Sequence, residues 1–258
     1  MIRSRVSYLA LLAPLTLFAM LAQAPSVTAQ DHITVQPRRV MLLRSRKVAR
    51  GAPERAKAIV RYPIVSGLTD AAALRRIQKT LAVKNVFDSS IEEYRQDSWL
   101  TDFDYKVNYN KNYLLDITFT QDGMGAYPST STKHFLIDLR RGTVVKSSDA
   151  FNPGSLGTLA SMANQKLKAE ARELSKDVES DKEQDAEQKK SLQEQLDQLT
   201  FTVENLDDFS VSDKGVTFLY DAGFPHVIQA LQPDGNYFFS YAELRPHLRP
   251  DGPLSVFK

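Results

Sequence analysis

Phe103-Asp104-Tyr105-Lys106-Val107-Asn108-Tyr109 places apolar and aromatic residues on odd positions and polar ones on even positions. That two-residue period marks a strand with one face buried. Asn110-Lys111-Asn112 supplies turn residues, and Tyr113-Leu114-Leu115-Asp116-Ile117-Thr118-Phe119 takes the pattern up again. A polar loop follows around Gly123-Met124-Gly125-Ala126-Tyr127-Pro128, after which Phe135, Ile137 and Leu139 alternate. The stretch predicts an antiparallel meander in the middle of the chain.

Upstream, Ala58-Ile59-Val60-Arg61-Tyr62-Pro63-Ile64-Val65 reads as a strand whose proline suits an edge position. Thr69 is the expected N-cap of a helix with Asp70 in its first turn, and Leu74, Ile77 and Leu81 form its core-facing stripe. Ser89-Ser90-Ile91-Glu92 matches a capping box opening a second helix, which presents Ile91 and Tyr94 and ends near Trp99. Still earlier, Ile33-Thr34-Val35 and Val40-Met41-Leu42-Leu43 flank Gln36-Pro37-Arg38-Arg39. Five cations between Arg38 and Lys47 admit two readings. One is an anionic partner such as phospholipid or a cell-wall polymer; the simpler one is a mobile or edge-strand arm with solvated charges.

Downstream, Asp138 to Val145 reads as a strand, a turn at Gly142 and a short return strand. Asn152-Pro153-Gly154 punctuates the chain. Leu156, Leu159, Met162, Ala163, Leu167, Ala171, Leu174 and Val178 then recur at helical steps. From Lys176 to Lys190 charges of both signs replace the apolar residues, and Leu192, Leu196 and Leu199 restore the period. That stretch reads either as a flexible insertion between two helices or, the favoured reading, as a helical, hairpin-like excursion. Phe209-Ser210-Val211 and Val216 to Tyr220 flank a Ser212-Asp213-Lys214-Gly215 hairpin, Tyr237-Phe238-Phe239 is a further strand, and Ser240-Tyr241-Ala242-Glu243 caps a short helix stopped by Pro246. The expected class is α+β: antiparallel sheets with packed helices in two consecutive subdomains, the second bearing the long excursion. The expected boundaries are a leader over 1–29, an arm over 30–56, a first domain over 57–146 and a second over 147–258.

The leader is expected to be a secretory signal. Arg3 and Arg5 precede an apolar run from Leu9 to Leu21, and Val27-Thr28-Ala29 offers small residues for cleavage. Pro14 and Thr16 interrupt that run, which falls short of the roughly 20 apolar residues of a spanning helix. No later segment is long and apolar enough to cross a membrane, so a periplasmic or secreted protein is expected. Of the 33 Lys and Arg, Arg3 and Arg5 leave with the leader; the remaining 31 balance 31 Asp and Glu. A neutral mature chain gives no ground for nucleic-acid binding. There is no cysteine, which removes disulfides and lipid attachment through a cysteine.

Taken together, several of these pieces resemble exported domains of unknown function. Such domains form the ectodomain of lysozyme-sensing anti-sigma factors and the non-catalytic N-terminal region of peptidoglycan deacetylases. In residues 57–145 the likeness rests on Tyr62-Pro63-Ile64, the helix around Ile77, Asp104 to Asn110 and Leu114-Leu115-Asp116-Ile117. In residues 146–250 it rests on Ser148-Asp149-Ala150-Phe151, the long helix, Gly215 to Tyr220 and Ser240 to Leu244. The family loop after the first hairpin reads Gly-Gly-Ala-His, whereas Met124-Gly125-Ala126-Tyr127-Pro128 stands here. The Tyr/Pro-rich segment of the second domain is replaced by Asp221-Ala222-Gly223-Phe224-Pro225-His226. The resemblance implies peptidoglycan, or a muramidase acting on it, as partner. It transfers neither transmembrane sensing nor deacetylation, since no span and no deacetylase domain is attached.

Catalytic chemistry is thinly represented. Four histidines and no cysteine are a poor start for a metal site, and no metal or cofactor is expected. His134 and Asp138 share one strand face and suggest an acid–base pair, against the simpler reading of a polar outer face opposite Phe135, Ile137 and Leu139. His226 and His247 sit near prolines in expected loops, without a spaced ligand partner. Asp102 and Asp104 also share a face, where Lys106 is expected to neutralise one of them. Asp207-Asp208 and Asp213 mark turns, and Ser129-Thr130-Ser131-Thr132 lacks a nucleophile elbow. No catalytic residue is therefore assigned. Trp99, Tyr105, Tyr109, Tyr113 and Tyr127 offer an aromatic platform, although Tyr105 and Tyr109 share a face with Phe103 and Val107 and suit a core. The expected binding residues are Gly125, Ala126, Tyr127 and Pro128. The expected function is non-enzymatic recognition of a cell-envelope polymer or an extracytoplasmic protein. The alternative is an enzyme acting on cell-wall polymer through His134, Asp138 or Asp104.

Overall fold

The computed structural model describes residues 31–257 except 52 and 181–184. The expected leader, part of the charged excursion and the side chain of His226 thus lie outside the described residues.

Six strands, β1 (Thr34–Leu43), β2 (Lys57–Ser66), β3 (Leu100–Lys111), β4 (Leu114–Met124), β5 (Pro128–Asp138) and β6 (Thr143–Val144), form one sheet in sequence order. Thr34-Val35 and Val40 to Leu43 belong to one continuous edge strand rather than two pieces, with Ile33 just before its start. β1 covers β2, so β2 is not an edge; its Pro63 lies directly opposite Pro37, and the two missing amide donors share one rung of the ladder. β2 meets β3 in parallel at Ile59–Asp102 and Val60–Phe103, the one parallel join in the sheet. The reason lies in the connection: α2 (Ala71–Thr80), α3 (Val83–Phe87) and α4 (Ile91–Gln96) carry the chain back across the sheet before β3 begins. A short helix α1 (Arg46–Gly51) links β1 and β2.

Local signals shift by a residue or so from their sequence reading. Asp70, not Thr69, caps α2, its carboxylate accepting from the amides of Ala72 and Ala73. Ser90 and Glu93 form the capping box of α4, which ends at Gln96. The β3–β4 turn falls on Asn112 and Tyr113, both with positive φ as a two-residue type I′ turn requires.

In the second half, α5 (Ser147–Ala150) leads into α6 (Leu156–Ser180) and α7 (Ala186–Gln198), which pack together through Leu167, Ala171, Val178, Leu192 and Leu196. Strands β7 (Phe209–Val211), β8 (Gly215–Leu219) and β9 (Asn236–Ser240) form a three-stranded antiparallel sheet, and α8 (Tyr241–Leu244) follows its Ser240–Glu243 capping box. The molecule is therefore α+β.

Buried apolar residues gather into two clusters. One lies between the large sheet and α2–α4, around Phe103, Ile117, Phe119, Ile77 and Leu81. The other joins α6, α7 and the small sheet, and also takes in Tyr109, Leu114, Leu136 and Val145. Strand β4 thus works on both faces. Leu115, Ile117 and Phe119 point into the first core, while Leu114 and Asp116 point toward the second half. A bulge decides which face Tyr109 takes. Val107 pairs with Ile117 but Tyr109 with Asp116, so β3 spends an extra residue there. Alternation inverts at that point, and Tyr109 joins the second cluster instead of sharing a face with Phe103 and Val107.

Candidate functional site: a polar cleft between the two sheets

The sheet face opposite the first core is built from rungs of short polar side chains. Asp104 pairs with Thr120 and Thr120 with Thr132; Asp102 pairs with Asp122 and Asp122 with Thr130; Thr118 pairs with His134. Threonine suits a strand because its branched Cβ fits the pleat, and its hydroxyl stays available on the open face. On β2, Arg61 reaches this face and bonds Asp104 at 2.7 Å and Asp102 at 3.3 Å. The cation expected from Lys106 is thus supplied by Arg61 instead. Burial pushes the Asp102 carboxyl up; for Asp104 burial is again the largest single effect, but the bond and charge of Arg61 and the Tyr105 amide together outweigh it and hold the carboxyl down.

Where β5 meets the second half, this face is roofed. Thr130, Ser131, Thr132 and His134 form one wall of a cleft of about 520 Å³. Asp208, Tyr220, Asp221, Gln229, Gln232, Asp234 and Asn236 form the other. A smaller hollow of about 290 Å³ shares Thr130 and Gln229 with it and extends past Ser129 and Pro128 to Gly123 and Thr101. The lining is dominated by hydroxyls, carboxamides and carboxylates, with Tyr220 the aromatic side chain of the larger cavity. The Gln232 carboxamide oxygen is buried and accepts no hydrogen bond among the described residues.

The floor of the cleft is an ionic bridge. His134 donates from Nε2 to Asp116 and from Nδ1 to Asp208, each at 2.9 Å. A neutral imidazole carries one N–H, so two carboxylate acceptors require the imidazolium. Burial opposes that charge, but the bonds to Asp116 and Asp208 override it and push His134 up to about 9. Asp116 has no exposed surface and is fully coordinated: besides His134 it accepts from Asn108 at 2.7 Å, the Ser210 hydroxyl at 2.7 Å and the Val211 amide at 2.8 Å. These donors outweigh its burial and hold its carboxyl below the usual range.

Against the sequence expectations, Asp138 does not pair with His134. It accepts from the Arg140 amide at 2.9 Å and closes the turn at Gly142, because β5 ends there. Nor is the His134 face a solvated exterior: the His134 side chain is 4% exposed, because β7 packs against β5 there. Residues 125–127 form the tip of the β4–β5 hairpin, and Gly123 and Met124 lie within β4 itself. Gly125, Ala126, Tyr127 and Pro128 are all exposed, Tyr127 at 67%. Of these four, Pro128 lines the smaller hollow. Behind the tip, Trp99 lies flat against Gly123, where a Cβ would run into its ring, and Arg55 donates to the Gly125 carbonyl at 3.1 Å. The aromatic platform is therefore dispersed: Trp99 backs the hairpin, Tyr109 is buried, and Tyr113 lies under the Arg140 guanidinium at 3.9 Å.

Sequence reasoning missed Asp116, Asn108 and Ser210, and took Asp208 for a turn residue. One signal was present: a carboxylate in Leu114-Leu115-Asp116-Ile117 has to find partners wherever that strand is covered on both faces. Among the described residues, no group of three His, Asp or Glu is arranged to hold a metal, and no helix is long and apolar enough to cross a membrane.

A mixed sheet backed by helices, followed by a helical pair on a three-stranded sheet, is the architecture of a known class of α+β domain of unknown function. Two solved structures share it. A DUF3298 family member from Bacteroides fragilis superposes with a TM-score of 0.54 at 11% identity, over 89% of this chain and 99% of that one. A DUF3298 family protein from Pseudomonas aeruginosa gives 0.50 at 14% identity, over 85% and 94%. No family model and no curated protein matches the sequence.

Proposed function

We propose that this is an exported, non-enzymatic binding protein that holds a polyhydroxylated cell-envelope polymer, with the glycan of peptidoglycan the first candidate. The cleft carries this reading. Its size suits a few sugar rings, its walls offer Thr130, Ser131, Thr132, Gln229, Gln232 and Asn236 as hydroxyl partners, and Tyr220 supplies a stacking face. The exposed rim from Gly125 to Pro128 extends the contact surface. Resemblance to the ectodomain of lysozyme-sensing anti-sigma factors and to the region beside peptidoglycan deacetylases points the same way, and keeps a muramidase as the alternative partner.

Co-sedimentation with insoluble peptidoglycan and pull-down with a muramidase test the reading. Thr132→Trp, which fills the cleft from an exposed β5 position, is expected to abolish retention by the polymer while the fold persists. Retention by neither partner overturns the proposal.

A hydrolase acting on cell-wall polymer is the second reading, favoured by His134 and Asp208 meeting at the cleft floor. The bridge argues against His134 as a base, since both ring nitrogens are already donating to carboxylates. Catalysis would fall to Asp208, which is 56% exposed. Release of soluble muropeptides that disappears in Asp208→Asn would establish this reading instead.

A further inference from the structure

From His32 to Pro53 the chain carries no carboxylate, yet Arg38, Arg39, Arg44, Arg46, Lys47 and Arg50 fall within it. One of these cations is internal. Arg44 is buried, its guanidinium donating to the carbonyls of Tyr94, Asp97 and Leu100, and it fastens the end of β1 to α4. Arg38, Arg39, Arg46 and Arg50 are exposed, as is Lys57 at the start of β2. Arg39, Arg46, Arg50 and Lys57 form no ion pair among the described residues.

Apolar side chains stand amid these charges. Leu42 is buried, but Met41 is 53% and Leu43 61% exposed. Alternation puts Met41 and Leu43 on one face with Arg39, and the ladder sets Leu43 opposite Lys57 and Met41 opposite Ile59. Among the described residues nothing covers this face. The pairing of two protruding apolar side chains with a surrounding ring of cations is complementary to an anionic bilayer, where the apolar groups enter the acyl boundary and the cations reach phosphates. A soluble polyanion would need the charges alone.

We propose that the outward face of β1, with α1 and the start of β2, docks on an anionic phospholipid surface as a peripheral contact. Charge distribution orients the molecule there. Asp208, Asp221 and Asp234 rim the cleft beside β5, four strand spacings from β1, or about 19 Å. An anionic membrane attracts the β1 edge and repels the carboxylates of the cleft, so the open face of the sheet meets the bilayer at its β1 edge, with β5 held away.

The test uses vesicles of phosphatidylcholine with and without phosphatidylglycerol, and protein without residues 1–29, so that the apolar leader cannot bind by itself. The parent is expected to co-sediment with the anionic vesicles only, and to be released by salt. Arg46→Glu with Arg50→Glu and Lys57→Glu should weaken binding by at least about 100-fold, at roughly fivefold per charge lost. Met41→Ser with Leu43→Ser should weaken it about 10-fold, with far-UV circular dichroism unchanged in both variants. In Leu43→Trp, tryptophan emission should shift to the blue on anionic vesicles. No co-sedimentation with anionic vesicles, or an undiminished signal from the charge-reversed variant, overturns the proposal. Undiminished binding by Met41→Ser with Leu43→Ser, together with equal capture by soluble dextran sulfate, would make the surface a polyanion site and overturn the lipid reading.

Discussion

Asp116 Oδ2 accepts the Ser210 hydroxyl at 2.7 Å, joining the middle of β4 to β7 across ninety-four residues of chain. The same carboxylate holds His134 on its other oxygen. The two sheets are thus locked together at a charge with no access to water. Each hydrogen bond it accepts offsets part of the cost of burying it.

Removing that charge leaves the imidazolium and the Ser210 and Val211 donors without their acceptor. Asp116→Ala is expected to destabilise the fold by about 3–5 kcal/mol. Urea denaturation measures it; a loss below about 1 kcal/mol would mean the bridge behaves as a surface ion pair.

Stability should also depend on pH with a definite sign. His134 is raised from 6.5 to about 9 on folding, so its contribution is complete below about 6.5 and fades as pH rises through about 9, amounting to about 3 kcal/mol. The Asp116 carboxyl is lowered from its usual 3.8, so its contribution is complete above about 4 and is lost as pH falls below that. Maximum stability is expected between these limits. His134→Gln should flatten the alkaline limb; an unchanged limb in that variant would refute the assignment.

Gly123→Ala tests how the hairpin tip is held. An added methyl runs into the Trp99 ring, and overpacking of this kind costs about 1–3 kcal/mol. Trp99 is the sole tryptophan, so its emission should move to the red as the ring is displaced. No spectral change would show that Trp99 does not rest on this glycine in solution.

Tyr127→Ala should behave in the opposite way. The residue is 67% exposed, and its loss should change stability by no more than about 0.5 kcal/mol while reducing retention by peptidoglycan. A marked fall in melting temperature would place Tyr127 in the framework rather than on the contact surface.

Much of the framework was legible because period and capping are local. The two-residue alternation over Phe103–Val107 and Leu115–Phe119 falls within β3 and β4, and the helical spacing from Leu156 to Val178 falls within α6. The capping box at Ser240 opens α8 as expected. The parallel β2–β3 join was hidden because it depends on how three helices return the chain. The Tyr109 face was hidden because a bulge shows only when two strands are laid in register.

The candidate site was legible in part. Of the binding residues expected from sequence, Pro128 lines the smaller hollow whereas Gly125, Ala126 and Tyr127 line neither cavity; the neighbouring Ser129, Thr130, Ser131 and Thr132 line the cleft or that hollow. The opposite wall, from Asp208 to Asn236, comes from a segment more than seventy residues away. A polar strand face looks the same in sequence whether it meets water or another sheet.

The amino-acid order alone determined which segments become strands and helices, since backbone period, caps and turns act over a few residues. Only the tertiary structure decided that His134 is an internal cation, that Asp116 fastens one sheet to the other, and that a polar hollow lies between them. Those outcomes depend on which distant groups are brought within 3 Å, and that distance is a property of packing.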